Sequence, residues 1–260
     1  NLFSNYVLYK VGRECSNGAP LSELADRKLN NRPFGNFLGN PKTEDMELHM
    51  RMYWQLWLYF HRCGIKSDFY PELFKKLRNN RNLNNLPVGE RQMLFVKYDI
   101  AQKNLADFFD TWGFMTPIDE MIVQYGESRY TVTEAMIAET KAYTAKYPAS
   151  QPFYYIEDRK DGDEGLAGLG LTGKIGDVGH YTQFKDNQKI TKTPTYSASG
   201  QQVSIINGNE AVAFEIWKDG ERKYFSNFLK FTLPDKLPIG QCTIKAVQAD
   251  GKLITVERAK

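Results

Sequence analysis

The sequence has few of the residues that usually build metal and redox sites. It contains 3 cysteines in 260 residues, Cys15, Cys63 and Cys242. They are scattered and form no Cys-x-x-Cys pair, so neither a cysteine-bound metal nor a dithiol redox site is indicated. A disulfide between two of them is one interpretation, and three free structural thiols is the preferred one.

Histidine is equally scarce, at His49, His61 and His180. His49 and His61 fall on one predicted helix, but twelve residues of helix separate them by roughly 18 Å. No His-Glu-x-x-His segment occurs, and no local signature of a serine or cysteine catalytic triad is present. The sequence therefore predicts structural or surface histidines, no metal ligand and no catalytic residue within this chain.

Charge and hydrophobicity exclude two further classes of partner. The 34 lysines and arginines nearly balance the 31 aspartates and glutamates, which leaves a net charge of +3 and no basic footprint for nucleic acid. The sequence contains no run of about eighteen apolar residues, so it predicts no membrane-spanning helix. The chain opens at Asn1 without Met and without a signal sequence, which favours a chain whose true N-terminus lies elsewhere.

Residues 1–149 have the periodicity of helices. Leu2, Phe3, Tyr6 and Val7 have helical spacing at the start of the chain, with no capping residue before them. Further helices are predicted from Thr43 to Gly64, over about 68–80, over about 89–103, from Leu105 to Trp112, from Thr116, and from Thr131 to the stop at Pro148. These patterns predict an N-terminal α-helical subdomain.

From residue 150 the pattern changes to short runs rich in β-branched and aromatic residues. Turn signals separate these runs, and the clearest is Asp219-Gly220 between Phe214–Trp217 and Tyr224-Phe225. The sequence therefore predicts an α+β protein in which residues 1–149 are helical and residues 150–260 form an antiparallel β-sandwich, immunoglobulin-like in architecture.

Two glycine-rich or acidic segments resemble ligand sites only formally. Gly168-Leu-Gly-Leu-Thr-Gly173 matches Gly-x-Gly-x-x-Gly, but no helix N-terminus follows to receive a pyrophosphate. Asp161-Gly-Asp-Glu-Gly165 lacks the full ligand series of a calcium loop. We interpret them as a glycine-rich loop and a solvated acidic turn.

Tryptophan is the residue type most suggestive of glycan contact. Trp54 and Trp57 lie on one aromatic-rich helix, and Trp217 lies in a predicted strand. An exposed indole can stack on a sugar ring, so these three are candidates for glycan stacking. Burial between helical layers is the simpler interpretation for Trp54 and Trp57.

Several stretches, in the right order, resemble a known family. They are Asn1-Leu-Phe-Ser-Asn-Tyr, Tyr53-Trp-Gln-Leu with Phe74-Lys-Lys-Leu-Arg, Tyr98-Asp-Ile-Ala, Asp107-Phe-Phe-Asp-Thr-Trp-Gly-Phe114 and Thr131–Lys141. The chain resembles the C-terminal part of the enhancin-like, mucin-degrading zinc metallopeptidases, family sixty of the metallopeptidases. Asn207-Gly-Asn-Glu-Ala-Val-Ala-Phe-Glu through Asn227-Phe is similar to the β-domain that often follows that catalytic region.

The resemblance implies a mechanism whose main groups are missing here. The family uses a His-Glu-x-x-His helix and a downstream Glu to bind zinc, and none of these residues occurs in this chain. Zinc is therefore expected in the full-length parent and not in this chain. Asp99 or Asp107 would hydrogen-bond a metal-binding histidine, and Trp112 would stack against a glycan or line the floor of the substrate cleft; helix capping and core packing are equally good explanations.

The resemblance implies the C-terminal part of a secreted or cell-surface metallopeptidase, including one that is periplasmic or anchored at the outer membrane. It would act on glycosylated, mucin-like proteins, and its partners would be such a glycoprotein and the missing N-terminal catalytic part of the same polypeptide. This chain alone would be inactive. The alternative is a non-catalytic glycan-binding or adhesion module, and a purely structural domain is a third interpretation.

Overall fold

A computed structural model describes residues 52–122, 127–156 and 180–259. Other predicted features lie outside these residues: the helix over residues 2–11, the helix start at Thr43, Cys15, His49, the side chain of His180, and both segments between residues 161 and 173. The described residues divide after Ser150 into two compact units, each considered by itself.

The first unit is mainly helical. Its helix α1 spans residues 52–62, and the second half of α1, Leu58–Arg62, is a π-helix. The other helices are α2 (Phe69–Asn79), α3 (Val88–Val96), α4 (Ala106–Thr111) and α5 (Glu134–Thr144). In the described parts of the chain, no helix is long and apolar enough to cross a membrane.

Local signals account for three helix ends in this unit. Gly64 and Gly113 adopt φ of +72° and +75° at the ends of α1 and α4, where glycine carries no Cβ penalty. Thr133 caps α5 by accepting a hydrogen bond from the Met136 backbone N–H at 3.2 Å. The predicted helix over 89–103 is wrong in its second half, because Tyr98 is extended and leads into the short 3₁₀ turn Asp99–Ala101.

A β-hairpin replaces the helix predicted from Thr116. Strand β1 (Ile118–Ile122) pairs antiparallel with β2 (Ser128–Val132), with Ile118 opposite Val132. Proline and an acid after a threonine resemble a helix start, but the β-branched and aromatic residues of the partner strand favour an extended partner. The prediction failed because a strand depends on its partner strand, whose paired residues lie 6 to 14 positions further along the chain.

Helix α3 approaches this hairpin so closely that one position excludes any side chain. A Cβ added to Gly89 would lie 1.8 Å from the backbone oxygen of Thr131. Gly89 is therefore fixed by contact between two backbones and not by a need for unusual dihedral angles. This contact places the start of α3 directly against β2.

The pKa of Asp119 is expected to lie well below the usual value for an aspartate. Its carboxylate accepts hydrogen bonds from Arg129 Nε at 2.7 Å and Thr131 Oγ1 at 2.8 Å, and these bonds lower its pKa from 3.8 to about 2. Because the folded-state pKa is depressed, the bonds stabilise the hairpin fully above pH 3.8, and this contribution is lost as pH falls through about 2. Carboxyl-carbon NMR of the labelled protein would measure the pKa.

The matched control is Arg129→Gln, which removes the main donor and keeps a polar side chain. We expect the Asp119 pKa to rise toward 3.8 in this variant, while the pKa of Asp250, which is held at about 2 by different partners in the other unit, stays in place. An Asp119 pKa near 3.8 in the unmodified protein would contradict the hydrogen-bonded hairpin.

The second unit is built on one mixed sheet of seven strands. Its order is β6-β5-β8-β9-β3-β4-β7. The strands are β3 (Thr195–Ser199), β4 (Gln202–Ile206), β5 (Ala213–Lys218), β6 (Glu221–Ser226), β7 (Lys230–Thr232), β8 (Thr243–Val247) and β9 (Leu253–Arg258). Helix α6 (His180–Lys185) precedes them, and the Asp219-Gly220 hairpin turn is confirmed between β5 and β6.

The α+β class is confirmed, but the antiparallel sandwich is wrong in its connectivity. A sandwich needs two sheets that are hydrogen-bonded separately, whereas β9 pairs with β8 through Val256 and then with β3 through Glu257 and Arg258. The β3–β9 pairing is parallel, and the other pairs in this sheet are antiparallel. Hydrophobic alternation along single strands does not encode which distant strand becomes the neighbour.

Candidate functional site

Asp99 stands at the start of the 3₁₀ turn that follows α3. The hydroxyl of Tyr143 lies 3.1 and 3.3 Å from its two carboxylate oxygens, and Lys146 Nζ lies 3.6 Å from Oδ1. Both partners come from the last turn of α5 and the residues just after it. The ammonium of Lys146 also lies 3.7 Å from the centre of the Tyr143 ring. Asp99 therefore belongs to a cluster of aromatic and charged groups.

The cluster holds the Asp99 carboxylate in its charged form. Partial burial works against the charge, but hydrogen bonds from Tyr147 and Tyr143 and the nearby ammonium groups of Lys146 and Lys76 outweigh it and lower the pKa of Asp99. A carboxylate of this kind accepts hydrogen bonds at neutral pH and does not donate a proton. Its chemistry suits orienting a donor and does not suit general acid catalysis.

A groove of about 630 Å³ opens beside this cluster. Lysines and asparagines of α2 and the turn residues Tyr98 and Asp99 line it. Lys76 Nζ lies 5.1 Å from the centre of the Tyr98 ring, so a cation and an aromatic face occur together on its wall. Groups of both charge signs line the groove, the acids Glu72 and Asp99 and the lysines Lys75 and Lys76.

Sequence reasoning missed the groups that surround Asp99. Tyr143, Lys146 and Tyr147 lie 44 residues or more from Asp99 in the chain. Their spacing of three and four residues places them together at one end of a helix. That spacing was the available signal, but nothing local links it to Tyr98-Asp99.

Asp107 and Trp112, the other two cleft candidates, occupy different environments. Asp107 is exposed in the first turn of α4, and its carboxylate makes no hydrogen bond or ion pair with the residues that the structure describes. Trp112 is fully buried, and its Nε1 donates a hydrogen bond to Gln55 Oε1 at 2.9 Å. Within the described ranges, no hydrogen bond or ion pair joins Asp99 to Asp107 or Trp112.

The glycan-stacking candidates differ in exposure. Trp54 and Trp57 are 1% and 4% exposed and stack on each other with ring centres 4.6 Å apart, so neither offers an open face to a sugar. Trp217 is half-buried at the end of β5. Its Nε1 donates to Glu215 Oε2 at 2.8 Å, and Lys245 Nζ lies 4.0 Å from the ring centre. Of the three tryptophans, Trp217 alone is partly exposed, and it remains the candidate for glycan stacking.

The described residues do not fit a zinc centre. Zinc in proteins takes three or four ligands from histidine, cysteine and carboxylate side chains. Within residues 52–122, 127–156 and 180–259, no group of three or more such side chains converges in a way that could hold a metal. Cys63 and Cys242 are free thiols, and burial raises the pKa of Cys63 to about 12, so it is a protonated thiol at neutral pH.

Family comparison relates two regions of the chain to one group of enzymes. The family described as "Peptidase M60, enhancin and enhancin-like" matches residues 1–113, and the "Peptidase M60 C-terminal domain" matches residues 193–255. Both matches fall in the order in which those two regions follow each other. No curated protein matches the chain.

Solved structures give the same relation with a measured overlap. A metallopeptidase from Bacteroides thetaiotaomicron is 43% identical over 98% of this chain, with a TM-score of 0.79. A metallopeptidase solved in complex with Tn antigen is 42% identical over 98% of the chain, also with a TM-score of 0.79. This chain spans 44% and 49% of the length of these two proteins.

A more distantly related structure has a similar fold at much lower sequence identity. The catalytic module of the metalloprotease ZmpA from Clostridium perfringens is 17% identical over 97% of this chain and 42% of its own, with a TM-score of 0.52. At that identity the likeness concerns the fold alone. Two matching family regions and more than 40% identity over nearly the whole chain establish the relationship without it. The chain belongs to the peptidase M60, enhancin and enhancin-like, family.

Proposed function

We propose that this chain is part of a zinc-dependent metallopeptidase that acts on O-glycosylated, mucin-like proteins. The observation that carries the proposal is the 42–43% identity to two metallopeptidases over 98% of the chain. One of those relatives was solved in complex with Tn antigen, which supports a glycosylated substrate for this chain as well. The zinc ligands would come from residues outside these 260, because the sequence holds no His-Glu-x-x-His.

In this proposal the helical unit supports the active site and does not perform the chemistry. Asp107 is the better placed of the two acids to hold a metal-binding histidine, because its carboxylate has no partner among the described residues. Asp99 is already engaged by Tyr143 and Lys146, so it would instead fix the Tyr98–Asp99 turn. Trp112 would act from the core by setting the position of α4.

The proposed setting is a secreted or cell-surface enzyme whose remaining catalytic part belongs to the same polypeptide. Glycoprotein substrates occur outside the cytoplasm, which favours this location. A piece that contains none of the zinc ligands could neither polarise a scissile carbonyl nor generate hydroxide at neutral pH. This chain alone would therefore be inactive.

The test compares this chain with a form extended toward its N-terminus until a His-Glu-x-x-His segment is included. Bound zinc would be measured by elemental analysis, and cleavage of an O-glycosylated mucin peptide by mass spectrometry. We expect zinc and cleavage in the extended form alone. The matched control changes the glutamate of the motif to glutamine, which should preserve zinc and abolish cleavage.

Two outcomes would overturn the proposal. Cleavage by the 260-residue chain would place the catalytic groups within it. A folded extended form that binds no zinc and cuts no glycopeptide would favour the alternative, a non-catalytic glycan-binding module. The half-buried Trp217 beside Lys245 is the observation that favours that alternative.

A further inference from the structure

Arg222, on the edge strand β6, is held by one of its terminal nitrogens. Its Nη1 lies 3.0 Å from the hydroxyl of Tyr154, 2.8 Å from that of Tyr155 and 3.1 Å from Glu215 Oε1. The guanidinium carbon also lies 5.5 Å from the centre of the Tyr154 ring. These contacts fix the plane of the guanidinium before any ligand arrives.

The other N–H groups of Arg222 have no hydrogen-bond partner among the described residues. Within the described residues, every hydrogen bond of this side chain runs through Nη1, and neither Nε nor Nη2 is a buried atom without a partner. The side chain is 23% exposed. A guanidinium presents its N–H groups as a planar fork that matches the oxygens of a carboxylate or sulfate, and here that fork is both oriented and accessible.

The same carboxylate that holds Arg222 also holds Trp217. Glu215 is 4% exposed, and its second oxygen, Oε2, accepts the indole N–H of Trp217 at 2.8 Å. In the register of β5 and β8, Glu215 is opposite Lys245 and Trp217 is opposite Thr243. Alternate residues of a strand lie on one face, so Glu215, Trp217 and Lys245 share a face of the sheet.

Lys245 adds a positive charge that no residue in the described ranges neutralises. Its ammonium lies 4.0 Å from the centre of the Trp217 ring and makes no ion pair with the residues that the structure describes. Glu215 balances Arg222, so the group carries a net charge of +1 from Lys245. An anionic ligand would draw this ammonium from the ring, because a charge-assisted hydrogen bond is stronger than a half-exposed cation–π contact.

We propose that Trp217, Arg222 and Lys245 form a binding site for an acidic sugar, a pyranose that carries a carboxylate or a sulfate ester. The fork of Arg222 and the ammonium of Lys245 would bind the anionic group, and the Trp217 ring would stack on the apolar face of the pyranose. The choice of a sugar over another anion rests on the proposed action on glycoproteins. Binding at this site requires neither zinc nor cleavage.

The 260-residue chain can be tested with three soluble probes that share one core. They are 3′-sialyllactose, lactose 3′-sulfate and lactose, examined by saturation-transfer NMR and by titration at low salt. We expect binding of at least one acidic probe and none of neutral lactose. Binding of sialyllactose alone would identify a carboxylate site, and binding of the sulfated probe alone would identify a sulfate site.

The variant that locates the site is Lys245→Gln, which removes the unpaired charge and keeps most of the chain length. We expect this variant to bind the acidic probe with about tenfold lower affinity, because the loss of one charge-assisted hydrogen bond has an effect of that order. The matched control is Lys230→Gln, an exposed lysine on β7 of the same sheet, which should leave the affinity unchanged. Arg222→Lys keeps the charge but loses the fork, and should also weaken binding.

Thermal unfolding of each variant would separate loss of the site from loss of the fold. Equal binding of lactose and the acidic probes would overturn the proposal, as would unchanged affinity in folded Lys245→Gln protein or no binding of either acidic probe. None of these results depends on peptidase activity. Failure here therefore leaves the zinc-and-cleavage test of the proposed function intact.

Discussion

Replacing Trp112 with alanine should destabilise the helical unit by about 3–5 kcal/mol, the usual cost of truncating a buried aromatic side chain to alanine. Trp112 is fully buried at the end of α4, and its indole N–H donates to Gln55 Oε1 on α1. The substitution removes the packed ring and deprives the buried Gln55 of this donor. Urea unfolding followed by far-UV circular dichroism, which reports chiefly on the helical unit, would measure the loss.

Two milder variants separate the ring from its hydrogen bond. Trp112→Phe keeps much of the ring volume but loses the N–H, and Gln55→Leu removes the acceptor. If the bond joins α1 to α4, the double variant should be destabilised by less than the sum of the two single changes. Strict additivity would show that the pair contributes no coupling.

The same experiment bears on the role of Trp112 in the substrate cleft. A ring on the cleft floor would have an exposed face, and its removal would cost little stability. A loss below about 1 kcal/mol would therefore favour the cleft role and contradict the packing argument. A large loss would make Trp112 a residue that positions α4 from within the core.

Local patterns were sufficient to predict much of the helical unit. The helix around residues 68–80 is present as Phe69–Asn79, because the apolar residues that it buries, Phe69 and Leu73, lie one turn apart on the same face. The Asp219-Gly220 turn was equally predictable, since both residues adopt positive φ, +55° and +79°, as a tight two-residue hairpin requires. In each case, the determining interactions are between near neighbours in the chain.

The failures share a dependence on distant residues. The hairpin of β1 and β2 is stabilised by Arg129 and Thr131 acting on Asp119, ten and twelve residues away. The sheet became continuous because β9 extends past Val256 to pair with β3, which lies some sixty residues earlier in the chain. The alternation of apolar and polar residues along one strand is the same in a single continuous sheet and in a sandwich, so it cannot distinguish the two.

Candidate site residues were predictable by type but not by environment. Tryptophan and aspartate were chosen because their chemistry suits glycans and metal-bound histidines. Whether a side chain is exposed, however, depends on how the folded chain packs around it. Trp54 is buried and Trp217 is half-buried, and their residue type does not reveal this difference. The partners of Glu215 in the sheet come from two strands and a 3₁₀ turn about sixty residues earlier, so the sequence offered no indication that Arg222 and Trp217 share one carboxylate.

Replacing Glu215 with leucine should be the most damaging single change in the second unit. Glu215 is 4% exposed and accepts hydrogen bonds from Tyr155, Arg222 and Trp217. Without it, Arg222 keeps its positive charge in a site where its side chain is only 23% exposed. Removing one partner of a buried ion pair commonly costs 3–5 kcal/mol, and we expect about 2–4 kcal/mol here because Arg222 retains some contact with water.

The control for charge alone is Glu221→Gln. Glu221 is an exposed acid on β6 whose side chain pairs with Lys223, and its replacement should produce no measurable loss. The unfolding of the second unit can be followed in both variants by ¹⁹F NMR of fluorotryptophan-labelled protein, in which the Trp217 signal is observed separately from those of Trp54, Trp57 and Trp112. Comparable losses in the two variants would show that Glu215 acts as a surface charge.

The double variant Glu215→Leu, Arg222→Met decides why the pair is present. If the cost of Glu215→Leu comes from the charge left on Arg222, removing that charge should recover part of the lost stability, because two apolar side chains can pack where a buried ion pair stood. The double variant should nevertheless fail to bind the acidic probe, since it lacks the guanidinium fork. Recovery of stability without recovery of binding would show that the buried pair serves recognition more than folding, whereas a double variant as unstable as the single one would assign the pair to the fold.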